Sequence, residues 1–167
     1  INQPDIISEL SRTCVQCGCN LLNTKINLMG QELAIALLLS GNWGAIAKME
    51  AALPNLEQRL GLHIQTKRTH GSNQLIEAMV YTLQIIAIDR PGILNEVSSF
   101  LVKLAVTMEE VSAATYFTQG NTQMATLHFK ISVPKTVHLA TLREKFMSYC
   151  DDHNFEGYIE PVRHSQL

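Results

Sequence analysis

Pro91-Gly92-Ile93-Leu94-Asn95-Glu96-Val97-Ser98 repeats, 87 positions on, the pattern of Pro4-Asp5-Ile6-Ile7-Ser8-Glu9-Leu10-Ser11. Proline leads both stretches, a pair of aliphatic residues follows, and a glutamate precedes the next apolar position. The apolar positions stay in phase beyond the match. Ile6, Ile7, Leu10, Cys14 and Cys17 answer Ile93, Leu94, Val97, Leu101 and Leu104. Steps of three, four and seven place them on one helical face. A chain of 167 residues can hold two small domains, so the repeat points to a duplicated module.

The pattern extends outward from this helix. Leu33, Ile35, Leu37 and Leu39 alternate along one strand, and Leu127, Phe129, Ile131 and Val133 along another. Each follows a strand, Asn20 to Leu28 or Thr107 to Phe117. The first hairpin turns tightly near Met29-Gly30; the second has a longer loop around Thr118-Gln119-Gly120-Asn121. A second helix pair carries Ile46, Met49, Leu53 and Leu56 against Leu139, Leu142, Phe146 and Tyr149. Asn42 is the expected N-cap of the earlier one. Pro54 predicts a kink or break inside it. Closing strands are expected at Leu62 to Arg68 and Phe155 to Val162, and the second copy alone has an opening strand, Val80 to Ile88.

The order β, α, β, β, α, β is the ferredoxin-like, split-βαβ pattern. The predicted class is therefore α+β: two ferredoxin-like βαββαβ modules with antiparallel sheets, the first lacking its opening strand. Residues 1–68 form the first module, 69–79 a polar linker containing His70-Gly71-Ser72-Asn73, and 80–163 the second. Ile1 is not a methionine, so the natural N-terminus and that first strand are expected upstream. Exposed sheet edges pair between chains, which predicts a homodimer.

A net charge of −2 argues against broad nucleic-acid binding, which needs clustered Lys and Arg. Lys67-Arg68-Thr69-His70 is too short a basic run to serve. No apolar stretch reaches the ~20 residues of a membrane helix, and no signal peptide is visible. The bunching of Cys14, Cys17 and Cys19 suits reduced thiols and a cytoplasmic protein rather than a secreted disulfide framework.

Chemistry concentrates at Asp89-Arg90-Pro91-Gly92-Ile93-Leu94-Asn95, between a strand and a helix. A helix N-terminus has unpaired N–H groups and partial positive charge, which suits a carboxylate. Pro91 pre-sets φ for the helix start and Gly92 leaves the backbone open to close approach. Asp89 can cap the helix or receive an ammonium group. Together these residues can grip both ends of a free amino acid. Equally, Asp before Pro-Gly is a good turn and helix start without any ligand. In the first copy the matching stretch is Asn2, Gln3, Pro4, Asp5, Ile6 and Ile7. There Asp5 replaces the glycine and repels a carboxylate, so that loop is expected to bind differently or not at all.

Asp89-Arg90-Pro91-Gly92-Ile93-Leu94, after an apolar strand and within this element order, resembles the signature of ACT domains, over essentially the whole chain as two copies. Leu37-Leu38-Leu39-Ser40-Gly41-Asn42-Trp43-Gly44-Ala45-Ile46, with the tandem layout, is similar to the glycine cleavage system transcriptional repressor family. That resemblance implies a regulator without a DNA-binding domain. It would restrain a LysR-type transcriptional activator by protein contact and be relieved by a small amino-acid effector, glycine. It also implies ligand binding between two modules, at the loop and first helix.

Other constellations point elsewhere only weakly. Cys14-Val15-Gln16-Cys17-Gly18-Cys19 has metal-like spacing, but Cys14 and Cys17 share the apolar helical face. The six histidines are scattered, with no paired metal-binding spacing. Trp43 either staples its helix entry or anchors an interface. The alternative function is an acylphosphatase-like hydrolase on the same topology, for which Arg90 is the candidate cation. With no convergent catalytic set, no metal and no cofactor are expected, and the chain is read as a non-enzyme.

Overall fold

The computed structural model describes residues 3–69 and 78–162. The chain divides into two compact units, Ile1–Gly71 and Ser72–Leu167. Most of the expected linker, 70–77, lies outside the described residues.

The second unit runs β3 (Ala78–Ile88), α3 (Ile93–Lys103), β4 (Thr107–Phe117), β5 (Gln123–Pro134), α4 (Leu139–Asp152) and β6 (Glu156–Pro161). The sheet order is β4-β5-β3-β6, and every neighbouring pair is antiparallel. This is the ferredoxin-like arrangement, in which the opening strand lies between the closing strand and the third strand. Alternation along β3 and β5 sends Leu83, Ile85, Leu127, Phe129, Ile131 and Val133 to one face. Val97 and Leu101 of α3 and Leu142 and Phe146 of α4 complete the same core. At ~1.5–3 kcal/mol per fully buried large apolar side chain, this cluster is the main stabilising feature of the unit.

The first unit contains α1 (Gln3–Cys17), β1 (Asn20–Met29), β2 (Glu32–Ser40) and α2 (Trp43–Leu60). β1 and β2 form a two-stranded antiparallel sheet closed by a tight turn, with Gly30 at φ +65°. Ile6, Leu10, Cys14, Met49 and Leu56 are buried together, with Leu33, Ile35, Leu37 and Leu39 packed against them. Asn42 caps α2, its side chain accepting from the Ala45 amide at 2.8 Å. Pro54 does not break α2, which continues to Leu60; Gly61 ends it in the left-handed conformation at φ +64°.

Two expectations are corrected here. Leu62 to Arg68 is not a strand: 62–69 forms no ladder. In the second unit the closing strand β6 pairs with the opening strand β3. Among the described residues of the first unit no strand lies in that position, so 62–69 has no ladder partner. Apolar packing of Leu62 and Ile64 on the core and polar side chains of α2 hold it instead. Glu57 accepts from the Ile64 amide at 2.6 Å, and Glu50 takes both arms of Arg68 at 2.8 and 2.7 Å.

The second correction concerns the start of α1. Gln3, Pro4, Asp5, Ile6 and Ile7 are already helical, so the stretch matched to the Asp89 loop is not a loop. Asn2 lies outside the described residues. The two copies differ in backbone at the matched position. Gly92 adopts φ +88°, a conformation that costs an L-residue roughly 1–2 kcal/mol, whereas Asp5 in its place continues the helix.

Candidate functional site

The Asp89 loop leaves β3 beside the start of β5, where the Asp89 amide donates to the Gln123 carbonyl at 3.0 Å. Gly92, not Asp89, is the N-cap of α3, and no side chain caps that helix. The Ile93 amide makes a long turn bond to the Arg90 carbonyl, 3.4 Å, and the Glu96 amide begins the helical series on Gly92 at 3.0 Å. The amides of Leu94 and Asn95, between them, have no main-chain acceptor among the described residues. They supply the donors an anion at this helix end would use.

Those residues border a cleft of about 650 Å³. Ile93, Leu94, Asn95 and Ser98 of α3 form one wall, and Ala113, Ala114 and Thr115 of β4 the other, over Ala125 and Leu127 of β5. Asp89 and Gly92 line it as well. The small residues create the space. Cross-strand pairing sets Ala113 beside Leu127 and Thr115 beside Ala125, so short side chains occupy the sheet surface next to the helix start. Five of the seven residues expected from sequence therefore meet at one cleft: Asp89, Gly92, Ile93, Leu94 and Asn95. The β4 wall and Ser98 were not anticipated. The run Ser112-Ala113-Ala114-Thr115 is their only sequence signal, and it reads equally well as an ordinary exposed strand.

Arg90 and Pro91 do not line the cleft. The Arg90 guanidinium forks onto the Glu96 carboxylate, both bonds 2.6 Å, and lies 5.9 Å from the centre of the Phe155 ring. The bonds from Arg90 hold the Glu96 carboxyl below the usual carboxylate range.

The first unit has a smaller cleft of about 260 Å³ between α1 and its hairpin, lined chiefly by Ile7, Leu10, Ile26, Ile35 and Leu37. Asp5 does not line it. Cys14 is buried and Cys17 half-buried on the α1 face, while the buried Cys19 thiol donates to the Ala45 carbonyl at 3.5 Å. Among the described residues no group of three His, Cys, Asp or Glu side chains is placed to hold a metal, and no helix is long and apolar enough to cross a membrane. Trp43 is 78% exposed, so it does not staple its helix.

Residues 1–67 and residues 77–149 each match the ACT domain. The chain belongs to the ACT-domain family, as a tandem of two such modules. Over nearly its whole length it is similar to the glycine cleavage system transcriptional repressors of Escherichia coli K12 and Shigella flexneri. It is 27% identical to each, over 99% of this chain and 87% of the relative. A crystal structure provisionally designated a glycine cleavage system transcriptional repressor matches at a TM-score of 0.76 and 24% identity, over 98% of this chain and 92% of that one. An unknown protein from Galdieria sulphuraria matches at 0.73 and 17%, over 97% and 93%. These two likenesses concern the fold alone.

Proposed function

We propose that the chain is an amino-acid-responsive regulator of glycine cleavage genes, acting by protein contact rather than by catalysis or direct DNA binding. The observation that carries this reading is the cleft at the start of α3. There Leu94 and Asn95, with their main-chain donors unpaired among the described residues, and Asp89 line one space. A free amino acid presents the complementary pair: its carboxylate to the amides and the helix dipole, its ammonium to Asp89. The similarity to glycine cleavage repressors makes glycine the proposed effector and a LysR-type activator the proposed partner. In this scheme residues 80–163 sense, 1–68 serve assembly or partner contact, 69–79 link them, and the protein works as a homodimer. A hydrolase reading would need Arg90 for a phosphate, but its guanidinium is engaged by Glu96.

Effector control requires unequal affinity for two states, so partner binding must in turn alter glycine affinity. Calorimetry with glycine, then serine and the remaining amino acids, tests the site. Saturable binding by the wild type, lost in Gly92→Asp, is expected. No binding by any amino acid, or undiminished binding by the variant, would refute it.

A further inference from the structure

We infer that Arg90 and Glu96 form a latch that sets the shape of the effector loop, making Arg90 a positioning residue rather than a contact to the effector. This rests on the reading of the α3 cleft as the amino-acid site. The loop needs such a device. Gly92 sits at φ +88° with no side-chain cap, and the Ile93 amide makes only a 3.4 Å turn bond. A backbone held by so little is free to move, and its amides lose their alignment. The latch spans that weak point: Arg90 lies before Gly92 and Glu96 one helical turn beyond it, and the two join in a planar two-bond fork.

The latch is also anchored from outside the loop. Arg90 lies over Phe155, at the entry to β6, and the Phe155 amide is tied to the Cys150 carbonyl at 2.8 Å. Phe155 meets Tyr149 edge-on at 6.1 Å, and Tyr149 stacks on Phe100 of α3 at 4.0 Å. The loop is therefore referenced to α4, β6 and the middle of its own helix. Glu96 additionally places a negative charge in the first turn of α3, where the helix dipole favours it. A lysine at 90 would keep the charge and lose the fork.

The test compares Arg90→Gln, Glu96→Gln, the double variant and Arg90→Lys, measuring glycine affinity and hydrogen exchange at the bonded amides of Ile93 and residue 96 in the unliganded protein. Each single glutamine variant is expected to weaken glycine binding by up to about fivefold, the scale of one exposed ion pair. The double variant is expected to be no weaker than either single, and Arg90→Lys to recover only part of the loss. Exchange at the bonded amides of Ile93 and residue 96 should quicken in all four. A Glu96→Gln protein that binds glycine like wild type while Arg90→Gln does not would overturn the inference, because Arg90 would then touch the effector itself. Variants with lower melting temperatures but unchanged affinity and exchange would overturn it as well. If no amino acid binds the wild type, the sensing reading falls, and the exchange comparison still decides the latch.

Discussion

A single methyl group at Gly157 should test the packing of the second unit. Gly157 lies on β6 opposite Ile85, against α4. A Cβ there would lie far inside van der Waals contact distance of the Cys150 sulfur, 3.1 Å from Cys150 Cβ and 3.2 Å from Phe146 Cε1. Both neighbours are almost wholly buried, so neither can swing into solvent. Either the sulfur leaves its rotamer or β6 moves away from α4, and overpacking of this kind costs about 1–3 kcal/mol. For a unit of this size 1 kcal/mol corresponds to roughly 4–8 °C of melting temperature. Gly157→Ala is therefore expected to lower the second unit's melting transition by about 4 °C or more in calorimetry. Cys150→Ala deletes the sulfur and should relieve most of that loss in the double variant, giving strongly non-additive effects. A Gly157→Ala protein that melts with wild type, or strict additivity with Cys150→Ala, would refute the reasoning.

Ala105 follows α3 at φ +55°, where Gly18 follows α1 at φ +78°. Ala105→Gly should stabilise by about 0.5–1 kcal/mol in denaturant unfolding by removing the strain of a left-handed alanine. Asn42→Ala should destabilise the first unit by about 1 kcal/mol, because the Ala45 amide loses its cap. Burial pushes the Cys150 thiol up to about 11, so native protein at pH 8 should resist iodoacetamide there until it is unfolded, as read by mass spectrometry. The same shift favours the folded state below the ordinary thiol range. That contribution should fade as pH rises from there toward 11, a slope absent in Cys150→Ala.

Much of this fold was legible because binary pattern and local chemistry agree. Alternation at Leu127 to Val133 fixed the inward face of β5, and Asn42 announced the start of α2. What could not be read was conditional on neighbours. Leu62 and Ile64 alternate as a strand should, but a strand needs an adjacent backbone, and sequence pattern does not register whether one is there. The first-copy loop failed for a related reason. The match of Pro4 to Pro91 is genuine, yet Asp5 lies within a helix where Gly92 stands outside one at positive φ, and an acid in a glycine's place does not by itself announce that. At the cleft, the loop was visible because Pro-Gly is chemically distinctive. Its opposite wall was not, because alanines matter there by being small, and smallness has no signature apart from what lies across from it.

The closing segments of the two units answer to different solution conditions. β6 is fixed to β3 by main-chain hydrogen bonds, which are indifferent to salt and to acid. In segment 62–69, Leu62 and Ile64 pack on the core of the first unit, but the far end is tied to α2 through the Arg68–Glu50 pair, which is more than a third exposed on both sides. Raised ionic strength screens such a pair, and acid strong enough to protonate Glu50, whose carboxyl Arg68 holds below the usual range, breaks it. A change in salt or acidity should therefore loosen the Arg68 end of this segment while leaving Leu62 and Ile64 on the core and β6 on its ladder.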